Sequence, residues 1–284
     1  MEVIEHSSEV HTIDLGILKL HEKRKFLLMS DIHLDSKKCD RELFKKHLDY
    51  AKEKGAGVLI FGDLMDLMQG KNDRRGSKTS LRKEYLLAPY FDSVIEDVTE
   101  FLLPYADEIK LITYGNHETA IIRHNEIDAL NSLIFNLNTK KKETDSRIFK
   151  GAYNGYVRIR SQRGNKLGNR SQKYIKYHHG AGGNAPVTGG AISQSRAAGM
   201  FPDADIVVMG HIHQYNMRVI TTEKIAQNFK IKRHDQYHLR TSSYKYHGDW
   251  ETEKMFPKGA LGCWEVEFTQ KKKGLEFRCT TLLS

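Results

Sequence analysis

Five short pieces of this sequence carry side chains of the types that can bind metal ions. In chain order they are Asp31-Ile-His33, Gly62-Asp63-Leu-Met-Asp66, Gly115-Asn116-His117-Glu118, His178-His179-Gly180 and Gly210-His211-Ile-His213. Imidazole nitrogens, carboxylates and an amide oxygen form a mixed donor set that suits divalent ions such as manganese, iron, zinc or nickel. Thiolates would select softer ions, and the three cysteines, Cys39, Cys263 and Cys279, lie outside all five pieces. These residue types therefore predict a metal centre.

A carboxylate can bridge two cations, and Asp63 is the natural candidate because the preceding Gly62 permits a tight turn. Two ions about 3.5 to 4 Å apart can activate a water and clamp both the attacking and the leaving oxygen of a phosphoryl group. The expected reaction is therefore phosphoester hydrolysis, with two divalent metal ions as cofactors. Manganese is the ion we expect first, with iron, zinc and nickel as alternatives.

Each piece directly follows a short apolar run that is typical of a buried strand. These runs are 26–29, 58–61, 109–112, 174–177 and 206–209. Continuous apolar runs favour strands that are covered on both faces, as in parallel sheets. Helical spacing over 42–52 and 83–103 can supply the crossovers. The alternation predicts an α/β layer fold in which the polar pieces gather along one edge of a sheet, beyond the carboxyl ends of its strands.

Taken together and in this order, the five pieces resemble the motifs of the calcineurin-like metallophosphoesterases. The resemblance extends from Asp31 to His213 and is closest in motif style to the phosphodiesterase and nuclease branches. It implies an α/β fold built as a two-sheet sandwich with flanking helices, the four-layer arrangement of that family. Extended segments after His213 would then complete the second sheet.

The resemblance also implies a role for each side chain. One ion would be held by Asp31, His33, Asp63 and His213, and the other by Asp63, Asn116, His179 and His211. His117 would stay off the metals and act as the general acid that protonates the leaving oxygen, with Asp66 oriented against its ring.

Two residues that lie next to predicted site residues in the sequence each have two possible interpretations. His178 would point away from His179 in an extended chain, which favours a core or supporting position over a metal ligand. Glu118 can orient a ligand, or it can be an acid in the first turn of a helix, where negative charge is favoured.

Departures from the family narrow the expected substrate. Phosphoprotein phosphatases carry one arginine after the second piece and another before the third, and here Leu67 and Tyr114 take those places. We therefore expect hydrolysis of phosphodiester bonds in nucleic acid or nucleotides. A phosphomonoesterase on small-molecule or nucleic-acid-end phosphates is the alternative, followed by a nucleic-acid-binding scaffold with a structural metal site. His117 and Asp66 argue against the scaffold, since a structural site does not require them.

Two stretches are interpreted as basic insertions, 69–83 and 146–176, and the second is expected to contain a long hairpin formed by 156–160 and 172–177. Between residues 146 and 202 there are ten Lys and Arg residues and no acidic residue, against a net charge of +9 for the whole chain. Basic side chains that neutralise phosphates give salt-dependent affinity without sequence recognition, although a solvated surface is the simpler interpretation. The candidate substrate-binding residues are Arg74, Arg75, Arg163, Lys166 and Arg170.

The composition favours an intracellular enzyme. With 284 residues and 39% hydrophobic residues, the chain can form one large α/β domain over 1–284. Three widely spaced cysteines give no disulfide framework, and no apolar run approaches the length of a signal peptide or a membrane span. We expect a cytoplasmic protein with no membrane partner and a nucleic acid or nucleotide substrate, and no protein partner can be inferred.

Overall fold

The computed structural model describes residues 1–68, 81–85, 89–142, 146–164, 170–183, 188–248, 252–253 and 255–284. The strands in this part of the chain form two sheets, here called sheet A and sheet B and numbered in chain order. Sheet A contains, in spatial order, β1 (Glu2–Ser7), β2 (Val10–Leu18), β7 (Asn154–Arg163), β8 (Arg170–His178), β9 (Ile206–Met209), β11 (Ile231–Arg240) and β10 (Asn216–Ile225). Sheet B contains β13 (Gly274–Leu283), β12 (Gly262–Lys271), β3 (Lys23–Met29), β4 (Gly57–Phe61), β5 (Ile109–Thr113) and β6 (Phe149–Gly151). The helices are α1 (Arg41–Lys54), α2 (Tyr90–Leu102), α3 (Asn116–Asn125), α4 (Ala129–Lys140) and α5 (Ala191–Met200).

The two sheets pack face to face and carry helices on their outer faces. Because side chains alternate along a strand, Phe26 and Leu28 of β3 enter the core between the sheets, whereas Leu27 and Met29 enter the core beneath α1, α2 and α4. On the other side, Ala197 of α5 packs against β9. The predicted two-sheet sandwich with flanking helices is confirmed. None of the helices in the described part of the chain has the length and apolar character that a membrane crossing requires.

All five apolar runs lie in strands, but they do not share a sheet. The first three lie in β3, β4 and β5, which are parallel neighbours in sheet B. The last two lie in β8 and β9, which are parallel neighbours in sheet A. The expectation of a single sheet edge was therefore wrong, because an apolar run predicts a strand but not the sheet that it joins.

Other segments also pair differently from the prediction. The strands after His213 complete both sheets and not the second sheet alone, since β10 and β11 extend sheet A and β12 and β13 extend sheet B. In the stretch 146–176 the predicted hairpin is confirmed as β7 and β8, but β8 is the central strand of sheet A and not part of an insertion. The helix predicted over 83–103 begins only at Tyr90, directly after Pro89, because proline is not tolerated inside a helix.

Candidate metal centre

The predicted metal ligands converge where the ends of β3, β4, β8 and β9 meet. Two groups of donors form here, and within each group the donor atoms lie within 4.8 Å of one another. The first group is Asp31, His33 and His213, and the second is Asp63, His179 and His211. The amide oxygen Oδ1 of Asn116 lies 3.0 Å from His179 Nε2 and 2.6 Å from His211 Nδ1. Both sheets therefore contribute to one cluster that contains all seven side chains.

Asp63 lies between the two groups. Its Oδ2 is 3.1 Å from Nε2 of His179 in the second group. The same side chain also forms a donor group with His33 of the first group and with His117. Its carboxylate therefore has the position that a bridge between two cations requires. Oxygen and nitrogen donors at this spacing fit a pair of divalent ions.

Most of the ligands sit in an unusual backbone conformation. Positive φ angles occur at Asp31 (53°), His33 (50°), Asp63 (49°), His211 (73°) and His213 (52°). This left-handed region is uncommon for residues other than glycine. It costs about 1–3 kcal/mol per residue and is found mainly at active sites. The surrounding structure therefore holds these side chains against a local conformational preference.

The glycines of the motifs allow the chain to pass close to Asp63. A side chain at Gly115 would collide with the Asp63 carboxylate and its backbone nitrogen, and one at Gly62 would collide with the His179 ring. Gly62 also has a φ of +86°, which other residues rarely adopt. Both glycines are therefore required by the packing around the bridge candidate.

Hydrogen bonds tie the two sheets together at this cluster. Both carboxylate oxygens of Asp31, at the end of β3, accept from the backbone nitrogen of His211, at 3.0 and 2.9 Å. Ser30 donates its hydroxyl to the same carboxylate. Within sheet B, the backbone nitrogen of His33 donates to the carbonyl of Asp63 at 3.1 Å. The protein's own hydrogen bonds thus hold the ligands in place.

The cluster concentrates negative charge and keeps some rings neutral. Burial would raise the pKa of Asp31, but the imidazoles of His213 and His179 outweigh it and lower that pKa to about 2. Burial and the charge of Lys245 lower the pKa of His33 to about 4, so its ring is a neutral donor. Burial would also lower the pKa of His179, but Asp63 and Asp31 raise it to about 10. The carboxylates therefore attract positive charge strongly, as a cation site requires.

The expected contact between Asp66 and His117 has a different form. The Asp66 carboxylate lies 2.8 Å from Nδ1 of His33 and accepts a hydrogen bond from Lys245 at 2.8 Å. It is 3.8 Å from Nδ1 of His117. Instead, the backbone carbonyl of Asp66 lies 2.5 Å from that nitrogen. Asp66 thus contacts His33 through its side chain and His117 through its main chain.

The structure settles the two open positions beside the ligands. The Glu118 carboxylate accepts from the backbone nitrogens of Gly115, Asp63 and Met65, at 2.9, 3.1 and 3.1 Å. It lies in the first turn of α3 and also fixes the loop of Asp63, so both interpretations hold. His178 accepts from the backbone nitrogen of Gly180 at 2.9 Å and therefore supports the turn after His179.

Three supporting residues were missed from the sequence. Asp35 accepts from the backbone nitrogens of Asp66 and Leu67, at 2.5 and 3.0 Å. Its spacing after Asp31 and His33 was a usable signal. Lys245 and Tyr153 reach the cluster from distant segments, and no local pattern marks either of them. The hydroxyl of Tyr153 donates to the carbonyl of Gly180 at 2.7 Å.

The candidate substrate-binding residues lie away from this cluster or outside the described residues. Arg163 and Arg170 occupy the end of the β7–β8 hairpin opposite His178, and Arg163 donates to the carbonyl of Lys272 at 2.8 Å. Since β8 has nine residues at about 3.4 Å each, that end is about 27 Å from the metal ligands. Contact with an anion at the metal centre itself is therefore not available to them. Arg74, Arg75 and Lys166 lie outside the described residues.

Residues 24–215, more than half of the chain, match the sequence profile described as calcineurin-like phosphoesterase. The match spans all the predicted ligands. The chain belongs to the calcineurin-like phosphoesterase family. Membership supports metal-dependent phosphoester hydrolysis in general, without deciding between diesters and monoesters. No curated protein matches the chain in sequence.

Solved structures similar to this family member have low identity. A single mutant of Vps29 from Entamoeba histolytica is 13% identical, with 91% of this chain and 99% of that chain covered and a TM-score of 0.36. A predicted phosphoesterase from Streptococcus pneumoniae is 12% identical, with 93% and 99% covered and a TM-score of 0.32. GAP50 of Plasmodium is 12% identical, with 91% and 84% covered and a TM-score of 0.41. The family assignment rests on the sequence match and not on these structures.

Proposed function

We propose that this protein is a two-metal phosphodiesterase that acts on nucleic acid or nucleotides. The observation that carries the proposal is the position of Asp63, which belongs both to a donor group with His33 and to one with His179 and His211. A pair of divalent ions held there would supply an activated water and neutralise charge on the phosphoryl oxygens. Manganese is the ion proposed first, and the same nitrogen and oxygen donors also suit iron, zinc and nickel.

The protein fixes its ligands through contacts on their far sides. Asp66 lies against Nδ1 of His33, so the Nε2 of that ring is the donor that faces His213, 3.2 Å away. Nδ1 of His179 lies 2.9 Å from the carbonyl of Phe61, which leaves its Nε2 for the cluster. Such outer contacts set the tautomer and the direction of each imidazole.

His117 is proposed as the general acid. Its Nδ1 faces the carbonyl of Asp66, which can only accept, so this nitrogen carries a hydrogen. Its Nε2 lies 3.8 Å from Oδ2 of Asp63 and is therefore directed into the cluster. A proton held at Nε2 can pass to the leaving oxygen, and the ring stays in place because its other nitrogen is anchored.

Three features support a diester over a monoester. A monoester carries more charge and calls for cationic side chains, yet the position before the third motif holds Tyr114, whose hydroxyl donates to Asp128 at 2.6 Å. Lys245, which reaches the cluster, is bound to Asp66. Net charge points the same way, since a chain of +9 favours a polyanionic substrate.

A substrate panel tests this proposal. Purified protein loaded with manganese would be assayed on bis-p-nitrophenyl phosphate, p-nitrophenyl phosphate and end-labelled single- and double-stranded oligonucleotides. We expect faster hydrolysis of the diester than of the monoester, together with shortening of oligonucleotides. Preference for the monoester would favour a phosphomonoesterase. Binding of oligonucleotides without hydrolysis of any ester would contradict an enzymatic role.

A further inference from the structure

A groove of about 650 Å³ opens on the outer face of sheet A, on the side away from the core. Its walls come from β1, β2, β7, β8 and the segment after α5. Among the residues that line it are His6, Thr12, Tyr156, Arg158, Tyr174 and Asp203. Aromatic rings, a guanidinium and a carboxylate thus face one space that the metal centre does not use.

The sheet register places two tyrosines at a useful spacing. Val157 and Ile175 enter the core, so Tyr156, Arg158 and Tyr174 face outward. Arg158 is directly opposite Tyr174, and Tyr156 is therefore the diagonal neighbour of Tyr174. Such neighbours are about 7–8 Å apart, which is about twice the 3.5–4 Å contact distance between carbon atoms. The two tyrosines are therefore far enough apart at the sheet for a flat aromatic ring to be placed between their side chains.

Arg158 is held in position and has capacity for an anion. Its Nε donates to the hydroxyl of Thr12 at 3.0 Å, and that hydroxyl lies 2.9 Å from Nε2 of His6. In the described part of the chain, no carboxylate forms an ion pair with Arg158. By contrast Arg160, the next outward residue of β7, is paired with Asp14. The terminal nitrogens of a guanidinium bind phosphate in a two-pronged geometry.

We propose that this groove binds a nucleotide unit, with the base between Tyr156 and Tyr174 and the phosphate on Arg158. Asp203 can accept from an amino group of the base or a sugar hydroxyl. The choice of a nucleotide rests on the proposed function, since a nucleic-acid phosphodiesterase needs contacts beyond the cleaved bond. The site binds either one nucleotide of a single-stranded nucleic acid or a free mononucleotide.

The groove lies close enough to the metal centre for one nucleic-acid strand to occupy both sites. Tyr156 is three residues after Tyr153 on the chain, and the Tyr153 ring packs against His178 and His179 with ring centres 5.4 Å apart in each case. Because β7 begins at this end of sheet A, a nucleic-acid strand that leaves the metal centre can cross the outer face of the sheet at Tyr156. Stacking on aromatic rings tolerates any base.

Binding without hydrolysis tests the groove by itself. Fluorescence anisotropy of a labelled single-stranded oligonucleotide would be measured in EDTA for wild type, Tyr174→Ala and Arg158→Gln. We expect Tyr174→Ala to weaken binding about tenfold, within the usual worth of one base–aromatic stack. Arg158→Gln should lower the salt slope by about one unit. The matched controls, Tyr174→Phe and Arg160→Gln, should bind as wild type does.

Competition and length identify the ligand. We expect 5′-AMP to displace the probe more effectively than inorganic phosphate, because the rings bind the base. Equal displacement by phosphate would overturn the nucleotide assignment. Affinity that rises with oligonucleotide length supports a strand path, whereas equal affinity for 5′-AMP and oligonucleotide supports a mononucleotide pocket.

Two further measurements separate this inference from the proposed function. Hydrolysis of bis-p-nitrophenyl phosphate should be equal in all variants, since a small ester does not reach the groove. If the wild-type protein hydrolysed no ester, the proposed function would be wrong. The comparison of oligonucleotide binding between wild type and variants in EDTA would still test the groove. If both Tyr174→Ala and Arg158→Gln bound the oligonucleotide as wild type does and unfolded at the same temperature, the assignment of the groove as a nucleotide site would be overturned.

Discussion

The two ends of strand β8 differ in nearly every physical respect. At its carboxyl end His179 is buried among the carboxylates of Asp31 and Asp63. At its other end Arg170 is exposed beside the tip of a basic hairpin. The metal ligands at the first end come from both sheets, whereas Arg163 and Arg170 at the second end come from two neighbouring strands of one sheet.

This difference shows that a high density of charge does not by itself identify an active site. The hairpin has the more conspicuous charge pattern in the sequence, yet of its described arginines Arg170 is exposed and Arg163 is half-buried, and ionic contacts near the surface are worth little. The carboxylates at the metal end are instead buried and oriented by hydrogen bonds, and two of them, Asp31 and Asp63, are held in a costly backbone conformation. Chemistry is expected at the buried end, and at most salt-dependent attraction is expected at the basic end.

The largest effect is expected from the proposed bridge at the buried end. Asp63→Asn should abolish hydrolysis of bis-p-nitrophenyl phosphate and reduce bound metal, because an amide is a weaker ligand than a carboxylate. Elemental analysis and turnover would be measured together. Asp49→Asn is the matched control, since Asp49 lies on α1 with 52% of its side chain exposed. A fully active Asp63→Asn protein that keeps two ions would remove the basis for the bridge.

A smaller effect should follow from removing the acid while the metals stay. His117→Ala should lower kcat by about 10²–10⁴, the usual worth of a positioned acid or base, without loss of metal. An ester with a poor leaving group should suffer more than a p-nitrophenyl ester, whose leaving group departs without a proton. His124→Ala, at an exposed position of the same helix, is the control. Equal losses on both esters would exclude His117 as the acid.

Low pH should destabilise the contacts that hold Asp31 in place at the metal end. His47 of α1 lies 2.7 Å from the Tyr244 hydroxyl, and the Tyr244 backbone nitrogen donates to the Asp31 carbonyl at 3.0 Å. Burial lowers the pKa of His47 from 6.5 to about 4. Below pH 6.5 the unfolded chain therefore binds a proton that the folded chain does not, so stability falls as the pH falls toward 4.

Between pH 7 and pH 5 this histidine should cost about 2 kcal/mol of unfolding free energy. The difference between wild type and His47→Gln in urea unfolding at the two pH values isolates this contribution. The same loss of stability in both proteins would show that His47 is not responsible.

The smallest effect is expected at the basic end. Changing Arg163, Lys166 and Arg170 together to Ser should leave hydrolysis of small esters unchanged, because the hairpin end is about 27 Å away. Oligonucleotides longer than about eight nucleotides can reach both ends, and their salt slope should fall by about one unit per lost phosphate contact. An unchanged slope for long oligonucleotides would reduce the hairpin to a solvated surface.

Much of the metal centre could be predicted from the sequence alone. Metal ligands must be particular residue types, and each piece follows a strand whose apolar run is visible without any structure. The strands β4 and β9 illustrate this, because their runs at 58–61 and 206–209 match the observed elements closely. The order of the pieces was enough to indicate the family that the profile match then showed.

Only the tertiary structure decided which elements meet. Sheet membership depends on pairing between distant segments, such as the parallel contact of β2 with β7, and no local pattern encodes it. For the same reason the partners of Asp66, the approach of Lys245 and the spacing of Tyr156 and Tyr174 were not accessible from the sequence. Residue types determine which chemistry is available, and long-range packing determines where those residues come together.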